Sequence, residues 1–301
     1  MDFSSRKIFD WHLRTRKLSL GRRTVVMGIL NVTPDSFSDG GTFSAPDAAL
    51  TRALEMLEEG ADIIDIGGES TRPNATPLSA HEEQTRILPV IQATLKRRPD
   101  ALISVDTYHS ETARLAVEAG VEIVNDVSGH LWDPEMSATC AELGCGAVLM
   151  HTRGRPAEWQ SMPPLAQEEV LPLVFSGLKL QAERAAASGV ASSRMAIDPG
   201  FGFGKIRGEN YPLLASLHIL QALGFPLIVG LSRKSFLRVS NFTSLQPAEQ
   251  KEVRRTLLPA TLAANTAAIL QGAHVIRVHD VAEARAAADV ADAILSAATT
   301  H

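Results

Sequence analysis

Cysteine is scarce in this sequence, and long apolar runs are missing. Only two of the 301 residues are cysteines, Cys140 and Cys145, and they form no C-x-x-C pair. Two cysteines are too few for a disulfide framework, so we expect both to be packing residues in a reducing compartment. No run reaches the ~20 apolar residues that a membrane span requires, and the charged segment 1–17 lacks the apolar core of a signal peptide. We therefore expect a soluble, cytoplasmic protein.

Positive charge is not in excess either. The formal net charge is −5, so the composition gives no indication of a nucleic-acid-binding protein. A specific anionic ligand remains compatible with this balance because positive groups act locally. The cysteine and histidine spacings match no zinc pattern. The glycine-rich segment 200–206 lacks the spacing of a phosphate-binding loop or a dinucleotide fingerprint.

What the sequence does contain is a repeated alternation of strand-like and helix-like segments. Short apolar runs, typical of strands buried on both faces of a parallel sheet, occupy residues 25–30, 63–66, 102–105, 122–124, 147–150, 195–197, 227–229 and 274–278. Helix-period segments follow at residues 46–59, 79–97, 110–119, 134–143, 168–188, 211–223, 257–271 and 281–298. Eight such units predict an α/β protein with a (β/α)8 TIM barrel as its single domain. A doubly wound open sheet with the same local pattern is the alternative.

The first 24 residues precede the barrel pattern, which covers residues 25–301. We expect residues 1–24 to form an N-terminal extension with a short β-hairpin that caps the bottom of the barrel. The segment LSLGRR, at residues 18–23, is the expected turn region of this hairpin.

Polar side chains stand at the ends of the apolar runs, in the segments that follow them, and within the last run. They are Asn31, Asp106, Asn125, Asp198, Lys234, Arg277 and His279. In a barrel, the loops that follow the strands build the active-site face, and the longest connections of this chain fall there. A carboxylate at a strand end is often only a helix cap. For Asp106, Asn125 and Asp198 we favour a functional role, because polar and charged groups are rarely buried without a partner.

These side chains fall into two chemical groups. Asp106, Asn125 and Asp198 supply hydrogen-bond acceptors, and the donor Lys234 belongs to the same group. A carboxylate can accept two parallel N–H bonds from the edge of a heterocycle. Arg277 and His279 are donors two residues apart on one strand, so they share a face. The loops after the last strands of a barrel commonly hold phosphate, which suits an arginine fork. The residues therefore predict a ligand with a donor-rich ring at one end and an anion at the other.

One stretch for each predicted strand resembles the dihydropteroate synthases. The stretches are MGILNVTPDSFSDGG (27–41), IDIGGESTRP (64–73), SVDTY (104–108), IVNDVSG (123–129), LMHTRG (149–154), IDPGFGFGK (197–205), GLSRKSFL (230–237) and IRVHDV (276–281). The resemblance implies a TIM-barrel transferase of folate biosynthesis that is a target of sulfonamides. Its reaction would condense 7,8-dihydropterin-6-ylmethyl diphosphate with 4-aminobenzoate to give 7,8-dihydropteroate and diphosphate.

The resemblance also implies residue roles. The pterin ring would be bound by Asp106, Asn125, Met150, Asp198, Phe203 and Lys234. The 4-aminobenzoate would be bound by Phe37, Thr71, Arg72, Pro73 and Ser235, with Lys234, and Asp35 and Asp39 would lie on a mobile first loop. The diphosphate would be held by Asn31, Arg277 and His279, with Mg2+ as a cofactor on Asn31. Catalysis would rest on Asp198, Lys234, Arg277, His279 and Asn31. We expect a homodimer whose partners are these small molecules, without nucleic acid or membrane.

Two alternatives remain from other functional classes. A pterin-dependent methyltransferase would share the barrel and the pterin pocket, but it has no need of Arg277 and His279 as a diphosphate site. A non-catalytic relative would bind pterin or serve a protein partner, and the presence of Asn31, Asp198 and Lys234 argues against it.

Overall fold

The structure, a computed structural model, describes residues 6–33, 45–69, 77–238 and 249–298. It begins with an antiparallel hairpin of strands β1 (Phe9–His12) and β2 (Lys17–Leu20), which confirms the predicted hairpin. The predicted position of its turn was wrong. The turn lies between the strands, where the Leu13 N–H donates to the Arg16 carbonyl at 2.8 Å. Gly21, which suggested a turn in the sequence, has a φ of 104° but follows the end of β2.

The barrel consists of eight parallel strands. They are β3 (Val25–Asn31), β4 (Ile63–Gly67), β5 (Ile103–Asp106), β6 (Ile123–Asp126), β7 (Gly146–Met150), β8 (Met195–Asp198), β9 (Ile228–Val229) and β10 (Val275–Val278). Their order in the sheet is β8-β7-β6-β5-β4-β3-β10-β9. A parallel bridge between Ile197 and Leu227 brings β8 next to the start of β9, and the Ile197 N–H donates to the Pro226 carbonyl at 2.9 Å. The sheet therefore closes on itself, which confirms the barrel and excludes the open sheet.

Helices cover the outside of the barrel. They are α1 (Ala45–Glu58), α2 (Ala80–Arg97), α3 (Ser110–Glu118), α4 (Met136–Leu143), α5 (Gln167–Ala187), α6 (Asn210–Ala215), α7 (Glu249–Leu270) and α8 (Val281–Ala298). The prediction of one helix over 211–223 was wrong, because Ser216 leaves the helical conformation (φ −114°, ψ 19°) and Leu217–Leu223 continues as 3-10 turns. In the part of the chain that the structure describes, no helix has the length and hydropathy of a membrane span.

The hairpin closes the N-terminal end of the barrel. Trp11, Leu13 and Leu20 are buried against inward-facing side chains of the strands, namely Val25, Met27, Ile63, Leu102, Ile123, Val148, Ala196, Ile228 and Val275. The Trp11 indole N–H donates to the Arg194 carbonyl at 2.8 Å, which fixes the ring. This end is filled with apolar groups, so the polar inward side chains gather at the opposite end. The exact boundary between hairpin and barrel at residue 24 stays a prediction.

Candidate active site

Strand alternation decides which side chains enter the barrel. Successive residues of a strand point to opposite faces, and in β4 Ile63 packs in the interior while Ile64 and Ile66 pack against the helices. Asp65 therefore points inward. The same alternation applies along the other strands, and their register makes Asp106 the neighbour of Asn125 and Met150 the neighbour of Asp198. We call this C-terminal end of the strands the mouth.

A hydrogen-bonded network joins four side chains at the mouth. The Nε of Arg277 donates to Oδ2 of Asp65 at 2.5 Å, and its Nη2 pairs with Oδ2 of Asp106. Asn125 donates from Nδ2 to the same Asp65 oxygen at 3.0 Å. The Asp65 side chain is 0% exposed, whereas those of Asp106 and Arg277 are 15% and 18% exposed. The network thus has a buried side at Asp65 and a side that faces the mouth.

The charges of this network act on one another. Burial raises the pKa of Asp106 to about 7, against the attraction of Arg277, and the neighbouring charge of Asp65 contributes to the rise. Burial alone would lower the pKa of Arg277, but the attraction of Asp65 and Asp106 outweighs it and raises that pKa. Arg277 is therefore a permanent cation, while Asp106 exchanges its proton near neutral pH.

Asp198 and Lys234 lie on another part of the mouth, beside Phe203. Asp198 is 5% exposed and accepts from the Gly200 N–H at 2.6 Å through Oδ1. Burial raises the pKa of Asp198 to about 6, so its carboxylate is mostly ionised at pH 7. The Nζ of Lys234 lies 4.0 Å from the centroid of the Phe203 ring. Burial and the nearby Arg277 lower the pKa of Lys234 to about 8. Lys234 thus places a donor over the Phe203 ring, and its charge interacts with that of Asp198.

Apolar side chains complete this part of the mouth. Met150, Phe203, Val127 and Trp159 form a small buried cluster that is separate from the main core. The rings of Phe203 and Trp159 meet edge to face at 5.2 Å. Apolar surfaces in the same mouth as hydrogen-bond acceptors suit a planar heterocycle, because the faces of such a ring are apolar and its edges are polar.

His279 and Asn31 lie at the ends of β10 and β3. The Nδ1 of His279 lies 2.9 Å from Oγ of Ser232, which also accepts from the His279 backbone N–H at 3.2 Å. Asn31 is half-buried, and its register neighbour is Gly67. Arg233, which follows Ser232, has a φ of 56° and forms a two-point ion pair with Asp280. This pair fixes the turn that carries Lys234 relative to the end of β10.

Comparison with known proteins decides the family. The family model described as "Pterin binding enzyme" matches residues 27–279. A dihydropteroate synthase of Synechocystis is 41% identical over 288 residues, which cover 95% of this chain and 92% of the relative. The chain belongs to the dihydropteroate synthase family.

Solved dihydropteroate synthases have the same fold. The enzyme of Yersinia pestis, solved with a sulfonamide drug, superposes with a TM-score of 0.83 at 38% identity and covers 96% of this chain and 100% of its own. The enzyme of Xanthomonas albilineans, solved with 7,8-dihydropteroate, gives 0.77 at 37% identity and covers 90% and 94%. These matches confirm the predicted family and its transferase reaction in folate biosynthesis. They favour it over the methyltransferase alternative.

The sequence patterns did not single out two buried polar residues of the mouth, Asp65 and Lys205. Asp65 was missed because it stands inside an apolar strand rather than at its end, although a lone carboxylate in such a run is itself a signal. Lys205, 1% exposed, was set aside with its glycine-rich segment. Its Nζ donates to the carbonyls of His151 and Phe203 at 3.3 and 3.2 Å, so it joins the loops that follow β7 and β8.

Part of the predicted dihydropteroate synthase site lies outside the described residues. This applies to Phe37, Thr71, Arg72 and Pro73 of the 4-aminobenzoate pocket and to Asp35 and Asp39 of the first loop. Ser235 is described and begins the 3-10 turn Ser235–Leu237, where it is exposed next to Lys234. The structure therefore brings together the residues predicted for the pterin and places Ser235 at their outer side.

Proposed function

We propose that the side chains at the mouth carry out the condensation of 7,8-dihydropterin-6-ylmethyl diphosphate with 4-aminobenzoate. The observation that carries this assignment is the meeting of buried acceptors with a permanent cation inside one barrel. Asp106, Asn125 and Asp198 offer acceptors, and Arg277 offers positive charge beside them. A dihydropterin diphosphate has the complementary pattern, with ring N–H groups at one end and an anion at the other.

The pterin ring would occupy the side of the mouth that holds Asp198. A carboxylate accepts two parallel N–H bonds from a 2-amino-4-oxopyrimidine edge, and the ionised Asp198 is available for them at neutral pH. Lys234 would donate to an acceptor of the ring. Met150 and Phe203 would pack against the ring, in keeping with their place in the apolar cluster.

The diphosphate would be held by Arg277, His279 and Asn31. As the C–O bond breaks, its electron pair leaves with the diphosphate, whose negative charge grows. Arg277 stabilises this charge because Asp65 and Asp106 raise its pKa further, so it stays protonated at neutral pH. His279, oriented through Ser232, would donate to a phosphate oxygen.

Magnesium would be held by Asn31 together with the diphosphate. Mg2+ prefers oxygen ligands and commonly takes only one or two from the protein, with the rest from phosphates and water. A single amide oxygen at the end of β3 fits this pattern, and the described residues contain no cluster of three acidic, histidine or cysteine side chains that suits another metal. When bound, the ion would supply positive charge to the leaving diphosphate.

The methylene carbon would then react with the arylamine. Loss of diphosphate leaves positive charge on the pterin, which the ionised Asp198 stabilises from the ring plane. The nitrogen lone pair of 4-aminobenzoate forms the new C–N bond, and the nitrogen afterwards gives a proton to solvent. Ser235, exposed beside Lys234, is a candidate to bind 4-aminobenzoate. The roles of Phe37, Thr71, Arg72 and Pro73 stay predictions.

The test is diphosphate release from dihydropterin diphosphate and Mg2+, with and without 4-aminobenzoate, together with the mass of the product. We expect release that depends on 4-aminobenzoate and yields dihydropteroate. Tight pterin binding without turnover would contradict the proposal and support the non-catalytic alternative.

We also propose a homodimer through α7 and α8. Two large apolar side chains of α8 are exposed, Val290 at 60% and Ile294 at 39%, and α7 exposes Ala263 and Ala267. Burial of these side chains against a second copy would remove apolar surface from water.

Val290→Glu should convert a dimer into a monomer in analytical ultracentrifugation. Leu180→Glu, at a side chain 46% exposed on α5, should leave the mass unchanged, and a monomeric wild-type protein would contradict the proposal.

The proposed compartment is the cytoplasm. Cys140 and Cys145 are both buried free thiols, which a reducing compartment maintains. Fractionation of producing cells should place the protein with cytoplasmic markers, and recovery from another compartment would contradict this.

A further inference from the structure

Asp65 is the most buried charged group of the mouth. It stands in the middle of β4 between apolar neighbours and is 0% exposed. A buried carboxylate is costly unless a cation and hydrogen bonds compensate it. We propose that Asp65 is a positioning residue, which fixes the guanidinium of Arg277 for the diphosphate and, through Asn125, links it to the pterin side. The inference rests on the proposed function of Arg277.

The barrel places Arg277 and Asp65 in one layer of inward-facing side chains, which in such barrels comes from alternate strands. Ile63 of β4 and Val275 of β10 both pack against the hairpin at the closed end. Asp65 and Arg277 follow them by two residues on the same faces, so the two side chains meet inside the barrel. An arginine of this length has many rotamers, and a fixed partner selects one of them.

Asp65 contacts the nitrogen that sets the orientation of the Arg277 guanidinium. Its Oδ2 accepts from Nε, the first nitrogen of the Arg277 side chain, at 2.5 Å. This contact orients the planar guanidinium near its base, while Asp106 binds the outer nitrogen Nη2. The two carboxylates thus hold the inner edge and the outer edge of the same plane.

The two partners differ in accessibility. Asp106, 15% exposed, borders the mouth and is within reach of a ligand, whereas Asp65 is enclosed. A pterin N–H can therefore replace Arg277 as the partner of Asp106. The contact from Asp65 to Arg277 persists through this exchange. The same Asp65 oxygen accepts from Asn125 at 3.0 Å, so one atom connects the groups proposed for the two ends of the substrate.

The sign of an affinity change distinguishes positioning from simple electrostatics. Asp65→Ala removes a negative charge near an anion site, so an electrostatic effect alone would tighten the binding of inorganic diphosphate. Loss of positioning would weaken it. We expect weakening on the order of tenfold to 100-fold, the range for a hydrogen bond to a charged group. Asp65→Asn, which keeps an acceptor oxygen, should recover most of this loss.

Calorimetry with inorganic diphosphate and Mg2+ measures these affinities. Asp292→Ala is the matched control, because Asp292 also pairs with a buried arginine, Arg6, at 2.5 Å, but beside the hairpin. It should lower stability and leave diphosphate affinity within about twofold of wild type. In an Arg277→Lys background, Asp65→Ala should cause no further loss, since the Nε donor is gone.

A second measurement requires no variant at Asp65. The Nε–H signal of Arg277 in the NMR spectrum of the wild-type protein, assigned with Arg277→Lys, should exchange slowly with water. Rapid exchange, or equal or tighter diphosphate binding by Asp65→Ala, would overturn the inference. A wild-type protein that neither binds diphosphate nor forms dihydropteroate would refute the proposed function instead, and the Nε–H measurement would still test the Asp65 contact.

Discussion

Asp198→Asn should weaken the binding of a free pterin by roughly 100-fold. The Gly200 N–H already donates to Oδ1 of Asp198 at 2.6 Å, so an asparagine has to place its oxygen there. Its NH2 group then faces the pocket, where it meets the N–H donors of the pterin. A hydrogen bond to a charged group contributes about 1.5–3 kcal/mol. The loss of two such bonds corresponds to at least about 3 kcal/mol, or roughly two orders of magnitude in Kd.

The assay is calorimetry with a free pterin between pH 5 and pH 8. Because burial raises the pKa of Asp198 to about 6, the wild-type carboxylate becomes protonated as the pH falls through 6, and pterin affinity should fall with it. Asp106, with a pKa of about 7, contributes to the same range. The variant should bind weakly throughout and keep only the pH dependence due to Asp106.

Asp126→Asn is the matched control for this variant. Asp126 is also buried at the end of a barrel strand, β6, and burial raises its pKa to about 6, but its oxygens accept from the backbone N–H groups of Ser128 and His130. Its replacement should cost stability and change pterin affinity less than about threefold. If Asp198→Asn bound pterin within threefold of wild type with an unchanged pH profile, the proposed pterin contact would be refuted.

Further predictions concern three residues. Arg277→Ala should weaken diphosphate binding far more than free-pterin binding in calorimetry, and equal losses would contradict its role. Trp11→Ala should lower the free energy of unfolding in urea by about 3–5 kcal/mol with unchanged kcat, and a change in kcat alone would contradict the closing role of the hairpin. Burial lowers the pKa of Lys205 from 10.5 to about 7, so folding disfavours its charged form. The stability of the wild type relative to Lys205→Met should therefore rise between pH 7 and pH 10 in urea titrations, and a pH-independent difference would contradict this.

Strand positions were predictable because short, mostly apolar runs recur along the chain and alternate with helix-period segments. The turn of the hairpin was not, since Gly21 gives a stronger local turn signal than the residues between Leu13 and Arg16 that form it. The break at Ser216 was also unpredictable, because the periodicity of residues 211–223 suits one helix and does not encode where that helix ends.

Site residues at strand ends were predictable for the same geometric reason. Asp106, Asn125, Asp198 and Arg277 meet because parallel strands end at the same side of the barrel. Their pairing was not predictable. The contact from Arg277 to Asp65 depends on the relative height of β10 and β4. The register of the closed sheet sets this height, and the sequence of either strand alone does not indicate it.

The closed N-terminal end of the barrel has a consequence for the order in which the substrates bind. With the hairpin packed across this end of the described barrel, both substrates have to enter at the mouth. Asp198 and Asn125 are buried below this entrance, whereas Ser235 is exposed beside it. A ligand bound at the deeper groups has to arrive before the outer one. The chain should therefore follow a compulsory order, in which the pterin diphosphate binds first.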